Sequence, residues 1–476
     1  MSIDNDHDRR KSRKLCFNCV GDDFLYDEIR NQGEDGTCSY CGKKAKHYSI
    51  EKLSERIESL FEEHYIRTSD QPSSFQYTML ADKESNYDWE REGKSVVFAI
   101  MNAADIPEEA ASDIQRILEN KFCDFDPSGP GDETEFSLDS YYEQREANDA
   151  RWQAKWCAFE RSLKTETRFF SRYASDLLTS VFDGIDLMQT RDGRSLIVDA
   201  GPETAISSLF RARCFQTDDK LKTALAWPDK HLGPPPSANA SAGRMNARGI
   251  SVFYGANNQI VALAEVRPPI GSQVVVACFE VIRPIRLLDL TALNAVTTCG
   301  SVFDPASIER FERAIFLRNL SRRITAPIMP DDETFEYLTT QVIADFLATE
   351  NKPPLDGIIF PSVQNAGEAL NYVLFHKAAR VEEIKLPKRT EISSQLGRMT
   401  EDGWQVGYTV IEEVPPEKEE SEKQQPYKFE HFTDFNDYDA RHITLKIVLE
   451  SVCVHIVEAV QFKTQEHEVC RHRCEK

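Results

Sequence analysis

GRMNARGISVFYGANNQIVALAEV, Gly243 to Val266, decides how this chain is read. SVFYGA (Ser251 to Ala256) alternates as a strand, and NNQIVALAEVR (Asn257 to Arg267) fits a short helix beginning at an Asn cap. QVVVACFEVI (Gln273 to Ile282), dense in β-branched residues, follows as a buried strand. Further on, helices are expected over Ser307 to Arg323 and Asp331 to Thr349. GIIF (Gly357 to Phe360) and ALNYVLF (Ala369 to Phe375) read as core strands around a Ser/Gln/Asn/Gly turn. This alternation is not a regular βαβ repeat, so the fold class expected is α+β.

At 476 residues with 41% hydrophobic residues, the chain has enough apolar side chain for more than one core. Its formal charge of −22 disfavours a general electrostatic grip on nucleic acid or anionic lipid. No run of 18 apolar residues occurs and no apolar segment follows the basic N-terminus, so the expectation is a cytoplasmic protein without a membrane span. GxGxxG and GxxxxGK[ST] are both absent, which leaves a Rossmann dehydrogenase or a P-loop ATPase without support.

Cys16, Cys19, Cys38 and Cys41 form two C-x2-C pairs with an 18-residue spacer, the pattern of a structural zinc ribbon. Four thiolates would close the tetrahedron and leave no position for water, so the ion is expected to hold the fold rather than to catalyse. From Ser49, a plausible cap, Ile50, Leu53, Ile57, Leu60 and Phe61 share one helical face. A second helical tract is expected from Leu138 to Phe182, with Trp152, Trp156, Phe159 and Leu163 as its core stripe. DFDPSGPGDETE (Asp124 to Glu135) reads as a loop and PPEKEESEKQQP (Pro415 to Pro426) as a solvated linker between strand-like segments at Gly403 to Val414 and His442 to Phe462.

Five blocks then occur in a fixed order: Phe210 and Arg211, Gly243-Arg244-x-Asn246, Tyr254, Ala262 to Glu265, and Asp356-Gly357 with Ser362. In that order they resemble the RES domain family, with Met245 standing where an aromatic residue is common. The segment ahead of them is similar to the HEPN-like helical bundle that precedes some RES domains. It lacks the Arg and His spacing that HEPN ribonucleases use, so it is read as scaffold or regulatory surface. The division expected is a zinc ribbon over 1–48, a helical domain over 49–200, a RES catalytic domain over 201–386, and a β-rich segment over 387–476 that either completes the RES sheet or stands apart.

The resemblance implies an ADP-ribosyltransferase-like fold that acts on NAD+, in a toxin or defence effector with an antitoxin or regulatory protein as partner. Arg211, with Arg244 second, suits the pyrophosphate, because a guanidinium fork pairs with phosphate oxygens. Glu265 suits the positive charge that develops on the ribose as the nicotinamide bond breaks. Tyr254 is placed to stack on nicotinamide or to donate to the ribose, Asn246 to bind the dinucleotide, and Ser362 to hydrogen-bond it. Arg211, Tyr254, Glu265 and Ser362 are thus the candidate catalytic residues. Hydrolysis, ADP-ribosyl transfer and phosphorolysis break the same bond and stay open at this level, as do the oligomeric state and a catalytically inert interaction protein.

Overall fold

The computed structural model describes residues 10–81, 87–123, 133–145, 148–298, 300–329, 331–364, 369–401, 403–416, 439–461 and 464–473. Most of the loop at Asp124 to Glu135, most of the Pro415 to Pro426 linker and the end of the turn after Ser362 lie outside the described residues. Two compact units are present: residues 1–152 with 298–316, and residues 153–297 with 317–476. No helix among the described residues is long and apolar enough to cross a membrane.

In the first unit, β1 (Lys14–Cys16), β2 (Glu34–Thr37) and β3 (Lys44–Ser49) form a small sheet in the order β1-β3-β2. Ser49 caps the helix Ile50–His64, its hydroxyl accepting from Lys52 N at 3.2 Å. The ribbon does not build a core by itself. Its Leu15, Val20, Leu25 and Ile29 bury against Ile50, Leu53 and Ile57 of that helix and against Ile100 and Ile114 of the helices Val96–Ala104 and Glu108–Phe122.

The expected helical tract from Leu138 is corrected in its first part. Tyr141–Gln144 is a strand, β6, which pairs with β4 (Tyr65–Arg67) on one side and β5 (Lys94–Ser95) on the other. Its aromatic pair, Tyr141 and Tyr142, suits a pleated surface, and the partners that fix it lie 46 to 79 residues upstream. Helix resumes at Ala150–Thr165 and Arg172–Phe182, where Trp152, Trp156, Phe159 and Leu163 are all buried as a core stripe.

The second unit is organised by an eight-stranded sheet. In chain order, after the short β7 (Gln189–Thr190), come β8 (Ile197–Ala200), β9 (Ser208–Phe215), β10 (Phe253–Ala256), β11 (Gln273–Val281) and β12 (Ile285–Asp289). Then follow β13 (Val296–Thr297), which pairs with β7, and β14 (Gly357–Pro361), β15 (Leu370–Leu374), the hairpin β16 (Glu391–Thr400) and β17 (Gly403–Glu413), and β18 (Leu445–Ile456). The sheet order is β18-β11-β9-β10-β15-β14-β12-β8, antiparallel except where β12 meets β14. β18 forms one edge through its pairing with β11, whereas β16 and β17 make a sheet of their own.

The helix Gln259–Glu265 starts at Asn258, whose side chain accepts from Val261 N at 2.9 Å. Val261 and Ala262 bury against Ala212, Val274 and Val276 of the sheet. On the opposite face Phe253 packs edge-on against Phe279, with ring centroids 5.0 Å apart. Burial on both faces explains why β11 is apolar almost throughout, and it fixes the register that brings β9, β10 and β15 together around one cavity.

Candidate active site and metal cluster

A cavity of about 510 Å³ opens over β9, β10 and β15, within the size range of small-molecule sites. Strand periodicity puts Arg211 and Arg213 on one face of β9, and both line it. Tyr254 enters from β10, Glu265 from the end of its helix, Asn371 from β15, and Glu333 and Tyr337 from the helix Glu333–Thr349. Arg244 and Arg267 complete a rim of four guanidiniums facing two carboxylates. No ion pair joins any of these six groups to another among the described residues, and four cations against two anions leave the lining a surplus of two positive charges.

Arg211 has the strongest need for a ligand. Its Nη1 is buried without a hydrogen-bond partner among the described residues, and its guanidinium lies 4.9 Å over the Phe253 ring. Burial, with the like charge of Arg213 added, pushes its pKa down to about 9, so it remains a cation at neutral pH. A buried guanidinium nitrogen without a partner is costly, and an anion entering the cavity offsets that cost. Arg213 is held by a bond from Nη2 to Gly233 O at 3.0 Å, and Arg244 by one from Nη1 to Ile324 O at 2.6 Å.

Glu265 is fixed by two neutral donors. Ser362 Oγ donates to its Oε1 at 2.5 Å and Asn371 Nδ2 donates to the same oxygen at 2.8 Å. Oε2 takes no hydrogen bond among the described residues, so an oriented carboxylate presents one oxygen to a ligand. Ser362 accepts in turn from Gln364 N at 3.2 Å. Its hydroxyl proton is directed at Glu265, so Ser362 helps to hold that carboxylate in place.

Tyr254 and Asn246 come together behind the cavity wall. Tyr254 Oη donates to Asn246 Oδ1 at 3.0 Å and accepts from Met245 N at 3.1 Å. Burial pushes the Tyr254 phenol up to about 12, so it stays protonated. Its single proton is thus given to Asn246, and what it offers the cavity is its ring. The Asn246 amide donates to Ser241 O at 2.9 Å and Ile250 O at 3.0 Å, which holds the loop rather than a ligand. Gly243 is required there, since a Cβ would lie 2.7 Å from Asn246 Oδ1 and 2.8 Å from Tyr254 Oη. Met245 is buried at this turn.

Asn371, Glu333, Tyr337, Arg213 and Arg267 lie outside the residues that the sequence motifs single out. Asn371 had left one sign, a polar residue at a strand position that is otherwise core.

Away from this cavity, the four ribbon cysteines converge. Cys16 Sγ is 3.7 Å from Cys19 Sγ and 3.5 Å from Cys41 Sγ, Cys19 Sγ is 3.9 Å from Cys38 Sγ, and all four lie within 4.8 Å of one another. A tetrahedral ion with metal–sulfur bonds of about 2.3 Å needs sulfurs about 3.8 Å apart. The cluster fits such an ion and is consistent with a zinc ribbon.

Neither the curated proteins nor the solved structures contain a match to this chain. Residues 209–394, which include every residue lining the cavity, match the RES domain family, whose members are in general NAD-using enzymes.

Proposed function

We propose that this chain is an NAD+ glycohydrolase that cleaves the bond between nicotinamide and ribose and so depletes NAD, with Zn2+ held by Cys16, Cys19, Cys38 and Cys41 as a structural ion. The observation that carries this reading is the pairing, in one cavity, of a half-buried Arg211, whose buried Nη1 has no hydrogen-bond partner among the described residues, with an oriented Glu265. The surplus of two positive charges equals the two negative charges of the NAD diphosphate. Arg211, supported by Arg244, grips that diphosphate, and Tyr254 offers its ring to the nicotinamide.

As the glycosidic bond breaks, positive charge spreads over the ribose. A carboxylate already fixed in place stabilises it without reorganising, and its free oxygen can orient an attacking water. As a further part of this proposal the chain is read as a toxin or defence effector, with the ribbon and helical segments governing activity and an inhibitory protein as partner. ADP-ribosyl transfer to a macromolecule uses the same bond cleavage and is the second reading. NAD labelled in its adenosine half separates the two: free labelled ADP-ribose means hydrolysis, and label on a macromolecule means transfer. Phosphorolysis stops in phosphate-free buffer.

Two variants probe the parts. Arg211→Gln keeps a polar side chain, shorter than the arginine, but removes the charge, and is expected to raise KM for NAD about tenfold to a hundredfold with a smaller change in kcat. An unchanged KM would remove Arg211 from the diphosphate site. Asn371→Asp exchanges a donor for a second carboxylate at a position 2.8 Å from Glu265 Oε1. Two carboxylates that close cannot both ionise freely, so the acid limb of the pH–rate profile is expected to move upward by about a unit or more. Asn371→Ala, which adds no charge, should move it less.

A further inference from the structure

The catalytic reading uses one of the two carboxylates in the cavity, and the other sits in an arrangement of its own. Glu333 Oε1 accepts from Tyr337 Oη at 3.0 Å, one helical turn apart on the helix Glu333–Thr349, and both residues line the cavity. The guanidinium of Arg244 lies 5.5 Å over the Tyr337 ring, and Thr340 Oγ1 and Gln341 Nε2 of the same helix bond the carbonyls of Arg244 and Gly243. The helix is thereby tied to the loop that supplies a diphosphate-binding arginine. Burial and the neighbouring Glu333 both raise the pKa of Tyr337, so the phenol keeps its proton for Glu333.

Resting on the reading of the cavity as an NAD site, we propose that Glu333, oriented by Tyr337, binds the hydroxyls of the adenosine ribose and makes the site selective for NAD over NADP. A carboxylate accepts hydrogen bonds from both hydroxyls of a vicinal diol, whereas a 2′-phosphate brings like charge against it. Charge balance points the same way. NAD+, with two negative charges on the diphosphate and one positive charge on the nicotinamide, stays within the cavity's surplus of two positive charges, whereas the 2′-phosphate of NADP adds roughly one and a half to two negative charges and takes the ligand beyond it. Arg244, whose guanidinium lies 5.5 Å over the Tyr337 ring, is already assigned to the diphosphate.

The test compares NAD and NADP on the purified full chain, by nicotinamide release and by calorimetric binding, in wild type, Glu333→Gln and Tyr337→Phe. The expected wild-type preference for NAD is on the order of a hundredfold in kcat/KM or in Kd. In Glu333→Gln the preference should shrink at least tenfold, because KM for NAD rises and KM for NADP falls. Tyr337→Phe should shrink it less, since the carboxylate remains but is no longer oriented. A wild type that takes both dinucleotides within about threefold, or a Glu333→Gln variant with an unchanged ratio, overturns the proposal. Selective binding of NAD without release of nicotinamide would overturn the cleavage reading and support this one, and binding of neither dinucleotide would overturn both.

Discussion

Glu265→Gln is expected to lower kcat for NAD cleavage by about 100- to 1,000-fold while Kd for NAD changes only a few-fold. The exchange is nearly isosteric, and a glutamine oxygen can still accept from Ser362 Oγ and Asn371 Nδ2. What disappears is the charge, and losing one preorganised electrostatic contact to a developing charge has an effect of that size. Ser362→Ala, which removes one of the two bonds that aim the carboxylate, should cost less, roughly tenfold. Single-turnover rates with saturating NAD make the comparison cleanly. A Glu265→Gln enzyme as fast as wild type would take Glu265 out of the chemistry.

Removing the metal is expected to unfold the first compact unit as a whole. Leu15, Val20, Leu25 and Ile29 of the ribbon belong to the same core as Ile57, Ile100 and Ile114 of the helices, so the ribbon cannot be lost alone. Binding of a structural zinc ion by four thiolates is worth about 10 kcal/mol or more, comparable with the entire stability of an ordinary domain. Chelation under reducing conditions, or Cys38→Ser, should therefore abolish the cooperative melting of this unit and expose it to protease. Restoring Zn2+ to the chelated wild type should bring the transition back. A chain shown to be metal-free that melts as before would contradict a structural role for the ion.

Local pattern made much of the fold and part of the site legible. The Asn258 and Ser49 caps, the apolar run of β11 and the paired cysteines act over short distances, and all of them appear in the structure as their sequences imply. β6 was missed because its partners, β4 and β5, lie far upstream in the chain, and the helical spacing of the tryptophans that follow spread backward over it. The site divides in the same way. Arg211, Tyr254 and Glu265 sit in motifs of fixed order, whereas Asn371, Glu333 and Tyr337 reach the cavity only because β15 and a distant helix pack there. The hydrogen bonds that assign Tyr254 Oη to Asn246 and Ser362 Oγ to Glu265 depend on that packing too, and they change what each group can do.

Whether this cavity cleaves NAD is decided by incubating the purified, metal-loaded protein with NAD and following nicotinamide and ADP-ribose by chromatography, beside Glu265→Gln. The expected result is stoichiometric release of nicotinamide by the wild type and almost none by the variant. NAD recovered intact from a folded wild type in which Arg211 and Glu265 are unblocked, or release that is equal in both proteins, would contradict it.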